Sequence, residues 1–154
     1  ICTISSAANC GLTPELSRAE GVGLNELLCR NHKGANMSYD IELIDPVTKE
    51  SIELDEPHHM RGGTYAMGGT TRAHLNVTYN YGGIFRRVLG DEGIRTIYGK
   101  SGAESIPLLE SAAAQLGDDV DPDYWKSTEG NAKRALVQLA ALAKMRPDAV
   151  WAGD

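Results

Sequence analysis

The segment Ala73–Asn80, AHLNVTYN, alternates without a break. Ala73, Leu75, Val77 and Tyr79 fall on one side, and His74, Asn76, Thr78 and Asn80 on the other. A period of two sustained over eight residues fits a half-buried strand and not a helix, because successive strand side chains point to opposite faces. One such strand cannot cover its own apolar side, so the chain has to supply a second layer.

The flanking sequence indicates where that layer comes from. In SYDIELI, Tyr39, Ile41 and Leu43 alternate with Asp40 and Glu42, a second half-buried strand. DPVTKE reads as a turn and SIELD as a returning strand, so residues 39–55 are expected to form a hairpin. EPHHMRGG reads as a loop, and TYAM as a short edge strand. Beyond Asn80 the period changes. GGIFRRVLG is expected to be a short helix with Ile84, Phe85, Val88 and Leu89 inward and Gly90 as its stop.

SGAESIPLLESAAAQLG reads as a second helix, with Ser101 and Glu104 as a capping box and Ile106, Leu109, Ala113 and Leu116 at helical spacing. Proline is tolerated only near a helix start, so Pro107 moves the expected regular start toward Ser105. STEGNAKRALVQLAALAKMRP is the strongest helix: Ala132, Ala135, Leu136, Leu139, Leu142 and Ala143 form one stripe, Thr128 or Ser127 caps it and Pro147 stops it. DPDYW reads as a turn or a single helical turn opened by Asp121-Pro122, and DAVWAGD as a tail or last short strand whose Trp151 is expected to plug the edge of the core. Strands first and helices after predict an α+β domain: a small antiparallel sheet of three or four strands with three helices packed on one face.

The chain has 154 residues, which suits one domain, and no apolar run of the length needed to cross a bilayer, so a soluble, cytoplasmic protein is expected. Its net charge of −6 is a poor match for a phosphate backbone, so nucleic acid is not an expected partner. Arg86, Arg87 and Arg95 read as solvated surface. Cys2, Cys10 and Cys29 all precede Met37, and their odd number and irregular spacing make neither a disulfide framework nor a zinc site. Residues 1–36 lack sustained periodicity and the features of a signal peptide. Lys33-Gly34-Ala35 can be encoded as AAA-GGA-GCN, which contains a bacterial ribosome-binding sequence a short distance before the Met37 codon. The expectation is therefore that Met37 is the natural start, that residues 1–36 are translated upstream DNA, and that residues 37–154 form the domain. The alternative is a genuine or disordered extension with a helix over residues 13–30.

IYGKSG resembles a phosphate cradle, but a phosphate loop needs a glycine at position 94, where Ile94 stands; Gly93 is one residue early. Gly99 and Gly102 then read as a turn and Ser101 as a helix cap, with a weaker option that Lys100 and Ser101 hold an anion at the helix N-terminus. DEPHHM brings together Asp55, Glu56, His58 and His59, with His74 further on, but no metal-ligand spacing accompanies them and no metal or cofactor is expected. His74, Asn76, Thr78 and Asn80 either face water or hydrogen-bond a ligand at the strand end, and Asn80 alternatively caps the following helix. DYWKSTEGN concentrates Tyr124, Trp125, Thr128 and Asn131, residue types used both for packing and at binding hot spots. No nucleophile–base arrangement is legible after Met37, so no catalytic residue is assigned.

NVTYNYGGIF, IRTIYGKSGAESIPLLE, DPDYWKSTEGNAKRAL and RPDAVWAGD together resemble a group of small uncharacterised proteins of bacteria and their phages. The resemblance covers most of residues 37–154 and none of 1–36, and implies a prokaryotic, cytoplasmic setting without assigning catalytic residues. The first functional expectation is a non-enzymatic module that binds a protein or a small polar ligand through the Thr78–Asn80 strand end and neighbouring loops, as a monomer or homo-oligomer. The second is a small nucleotide- or anion-binding protein or enzyme in which Lys100 holds an anion and His74 or Asn80 polarises it.

Overall fold

The computed structural model describes residues 38–58 and 69–154. The expectations for residues 1–36, the Met37 start, the TYAM strand and His59 lie outside the described residues. What is described is an α+β fold with two small antiparallel sheets and three α-helices.

Strand β1 (Ser38–Ile44) lies at the centre of the larger sheet, between β4 (His74–Thr78) and β5 (Val150–Gly153). Its alternation sets the sheet's two faces. Tyr39, Ile41 and Leu43 are buried, as are Leu75 and Val77 of β4 and Trp151 of β5. Against this face pack α1 (Gly82–Leu89) through Phe85, α2 (Gly102–Ala114) through Leu109, Ala112 and Ala113, and α3 (Glu129–Met145) through its whole expected stripe. The apolar sides form one core, which is what a one-sided sheet and amphipathic helices need in order to leave water. Among the described residues, no helix is long and apolar enough to cross a membrane.

The hairpin expected over residues 39–55 is only begun. Its turn closes through Asp45 N–H to Glu50 O (2.9 Å), and Ile52 N–H donates to Leu43 O (2.9 Å). At that point Ala73 intervenes, donating to Ile52 O while its own carbonyl accepts from Leu43 N–H, both at 2.9 Å. From there β4 takes over the same edge of β1, with Glu42 opposite His74 and Ser38 opposite Thr78. The replacement follows burial: β4 brings fully buried Leu75 and Val77, whereas the competing segment brings Glu53, half-buried Leu54 and Asp55. The displaced segment becomes β2 (Glu53–His58), which runs through residues expected to be loop and pairs instead with β3 (Thr70–Arg72). The long alternating strand is correspondingly broken at Ala73 and ends at Thr78, where Tyr79–Tyr81 turns into a 3-10 helix.

Helix α2 begins at Gly102, three residues before the start that Pro107 suggested. The cap decides this. Glu104 N–H donates to Ser101 Oγ (3.2 Å), and Ser101 N–H donates to Glu104 Oε2 (2.8 Å), the reciprocal pair of a capping box. The two remaining first-turn amides also have partners: Gly102 N–H donates to Ala149 O (2.8 Å) and Ala103 N–H to Pro147 O (3.0 Å). Proline is accommodated with the loss of one amide, because the start is fixed from outside the helix. Behind it, the indole N–H of buried Trp151 donates to Ser105 Oγ (2.7 Å), whose hydroxyl donates to Gly102 O (2.8 Å). A buried indole needs such a partner.

The close approach leaves no room at Gly102, where a Cβ would lie 2.6 Å from Arg146 O and 3.0 Å from Pro147 Cα. Gly102→Ala is expected to cost about 2–3 kcal/mol in urea unfolding, because the obstacles are backbone atoms. Gly83→Ala in α1, with nothing within 4 Å of the added methyl, is expected to be neutral or stabilising by up to ~1 kcal/mol. Equal effects at the two positions would disprove the close docking of α2.

Candidate functional site

The residues singled out in the sequence fall into three separate places. The first is the GKS turn. Gly99, with φ +78°, makes the bend, and Ser101 caps α2. All three first-turn amides of α2 are engaged by Ser101 Oγ, Ala149 O and Pro147 O. The negative charge at this helix end is the protein's own Glu104, whose carboxyl is held below the usual range by its hydrogen bonds from Ser101 and by the Lys100 charge. Of the expected anion cradle of Lys100 and Ser101, the Ser101 hydroxyl and the helix-end amides are already engaged within the chain. Ser101 bridges to Val150, which lies opposite Ile44 at the far end of β1 from Thr78. Six residues of strand separate those levels, about 20 Å, and three strand spacings, about 14 Å, lie across the sheet. Lys100 and the Thr78–Asn80 strand end therefore do not share a pocket.

The second place is the open face of the sheet. Asn76 donates to Ser38 Oγ (2.9 Å) and to Asp40 Oδ1, and His74 Nε2 lies 3.4 Å from the same Asp40 carboxylate. These cross-strand partners follow from the register, which sets Asp40 opposite Asn76 and Glu42 opposite His74. His74 and Asn76 are half-exposed and knit β4 to β1. Thr78 leaves this group: it is fully buried, and its hydroxyl accepts the Asn80 N–H (3.2 Å), capping the 3-10 turn. His58 is buried with Nε2 2.7 Å from Arg72 O, stapling β2 to β3. Among the described residues, no group of three or more His, Cys, Asp or Glu is placed to hold a metal ion.

The third place joins two segments distant in sequence. The turn Tyr79–Tyr81 meets the loop 121–128 that precedes α3. Asn80 Nδ2 donates to Trp125 O (2.7 Å), Ser127 Oγ donates to Asn80 O (2.8 Å), and the Tyr81 hydroxyl donates to Tyr124 O. The loop is folded on itself as well. Asp121 accepts Asp123 N–H (2.8 Å) and pairs with Lys126 (2.9 Å), and Asp123 accepts Trp125 N–H (3.0 Å). The Lys126 ammonium holds the Asp121 carboxyl below its ordinary range.

Asn131 lies underneath. Only 4% exposed, it donates to Asp123 O and Lys126 O and accepts Asp121 N–H, each at 3.2 Å. Its expected role as a ligand contact is corrected: its three bonds all hold the loop. The groups the loop leaves outside are the Trp125 ring, 37% exposed and 5.0 Å from the Tyr124 ring, and the side chain of exposed Asn80. Tyr81 was not singled out by the sequence, and Asp121 and Ser127 were read as turn and cap residues rather than as part of this junction; the Asp-Pro-Asp spacing at 121–123 was the available sign of a self-bonded loop.

Asn131→Ala is expected to cost about 2–3 kcal/mol and to accelerate amide exchange at Asp121, Asp123 and Trp125; unchanged exchange would show that Asn131 does not hold the loop. Burial pushes the Tyr81 hydroxyl up to about 12 from 10.0. Its folded pKa is raised, so the stability it contributes is present below pH 10 and is lost as pH rises toward about 12. Tyr81→Phe is expected to lower stability at pH 7 by about 1 kcal/mol and to flatten part of the alkaline fall in a urea-midpoint profile.

No family model, no curated protein and no solved structure matches the chain.

Proposed function

We propose that this chain is a non-enzymatic binding module that engages its partner through the corner formed by the 79–81 turn and the 121–128 loop. One observation carries the reading: a loop fixed by hydrogen bonds to the 79–81 turn and to Asn131 presents an exposed Trp125, its ring tilted against that of Tyr124, beside the exposed side chain of Asn80. Rigid aromatic side chains lose little conformational freedom on binding, and a preorganised loop has its ordering cost already met, so such corners are efficient recognition surfaces. A protein partner fits an open aromatic corner better than a small polar ligand does, because small ligands favour enclosed sites. The resemblance to bacterial and phage proteins supports a prokaryotic, cytoplasmic setting. The net charge of −6 disfavours nucleic acid as the partner. The anion-binding or enzymatic alternative is disfavoured by the separation of Lys100 from Asn80.

Bacterial cytosol passed over the immobilised full chain and over its Trp125→Ala variant tests this. The expected result is one partner, or a second copy of the chain, held by the wild type and weakened roughly thirty-fold by the substitution, the ~2 kcal/mol of a hot-spot tryptophan. The variant should melt at the wild-type temperature. A partner held equally by both forms, or a bound small molecule indifferent to Trp125, would overturn the proposal.

A further inference from the structure

A second convergence of polar groups lies on the other side of the 79–81 turn, around Asp154. The Asp154 main-chain oxygen accepts from Arg95 Nε (3.0 Å) and from the Tyr98 hydroxyl (3.4 Å). Its side chain accepts the Asp40 N–H (3.0 Å) and is hydrogen-bonded to the Tyr79 hydroxyl. Four donors, from β1, the turn and the 93–98 segment, thus meet on one acidic residue.

The walls are built to hold this shape. The Tyr39 and Tyr79 rings meet edge to face at 4.3 Å, and the Arg95 guanidinium lies 5.1 Å from the Tyr39 ring centre. A Cβ on Gly153 would fall 2.5 Å from the Tyr98 hydroxyl and 2.7 Å from Asp40 O, so only glycine lets β5 pass this close beneath Tyr98. A Cβ on Gly82 would fall 2.9 Å from the Tyr39 hydroxyl on the other side. Burial and the Asp154 charge both raise Tyr98, which keeps its hydroxyl a donor.

The donor capacity exceeds what Asp154 uses. Among the described residues, the Arg95 side chain makes one hydrogen bond, through Nε, beside its contact with the Tyr39 ring, so its terminal N–H groups, which can grip a carboxylate, carry no hydrogen bond. We propose that Arg95, Tyr79, Tyr98 and the Asp40 amide form a carboxylate-binding site, that Asp154 is its intramolecular occupant, and that a free carboxylate takes the site when Asp154 is withdrawn. The site is independent of the Trp125 corner, and neither reading depends on the other.

Acetate is the probe, titrated into the full chain at constant ionic strength with chloride as control, with the Arg95 Nε–H and Asp40 amide resonances as readout. Asp154→Ala removes the carboxylate held by the Asp40 amide and Tyr79 and leaves the main-chain oxygen on Arg95 Nε and Tyr98. It is expected to bind acetate saturably in the vacated half of the site, against the remaining guanidinium N–H groups, shifting both resonances, and at least ten-fold more tightly than the wild type. Adding Arg95→Met should abolish the shifts. Absence of saturable shifts in Asp154→Ala, or shifts that survive Arg95→Met, would overturn the proposal. Should Asp154→Ala fail to fold, the wild type decides: acetate raised to the limit of its solubility must displace Asp154 and move the same two resonances, and unmoved resonances refute the site.

Discussion

The docking of the first turn of α2 onto residues 147–151 is the constraint on which the rest of this structure depends. A helix N-terminus carries amides that need acceptors, and a segment leaving a helix carries carbonyls that need donors. Here each supplies the other, through Gly102 to Ala149 and Ala103 to Pro147. The same contact orients the chain for β5: Trp151 N–H donates to Lys100 O, and Gly99 N–H to Trp151 O, so β5 is held on its outer side by the GKS turn while β1 pairs with its inner side. Trp151 then enters the core where Ser105 receives its indole N–H. Helices and sheet are joined by directional bonds as well as by apolar contact, and those bonds fix how α2, α3 and β5 are set relative to one another.

A second junction lies at the opposite end of β1. The three consecutive residues of the 79–81 turn reach in different directions: Tyr79 to Asp154, Asn80 to Trp125 and Tyr81 to Tyr124. A single 3-10 turn therefore ties β5 and the loop before α3 to the end of β4. Thr78 is buried because it stands at the root of this turn, where its hydroxyl serves the backbone. On the side of the 121–128 loop, most polar groups are spent on one another, and the largest group left exposed is the Trp125 ring.

Elements with a strong local period were legible in the sequence. The inward residues of β1 and β4, the α3 stripe, the Ser101–Glu104 box and the Gly90 stop all follow from spacing and capping rules that act within a few residues. The start of α2 was misread because Pro107 is a local signal and the amide acceptors at Pro147 and Ala149 are not. The hairpin was misread for a related reason: alternation in SIELD is real, but two segments compete for one edge of β1 and the contest is decided by burial. At the candidate site the residue types were recognised and their roles were not. Asn131 and Trp125 lie six residues apart in one polar stretch, and only tertiary placement makes one a buried brace and the other an exposed contact.

The central position of β1 also bears on how the chain is made. Its neighbour on one edge arrives some thirty residues later, and the hydrogen bond that ends its other edge spans 114 residues, from Asp40 to Asp154. Chain closures of that length come late and slowly. During synthesis, β1 therefore waits with one edge unpaired and with Tyr39, Ile41 and Leu43 lacking the Trp151 that finally covers them. An open strand edge with apolar residues at alternate positions is a template for pairing with other chains. The polar side of that strand carries Asp40 and Glu42, and two nascent copies paired in register would set these like charges against each other, which opposes that pairing.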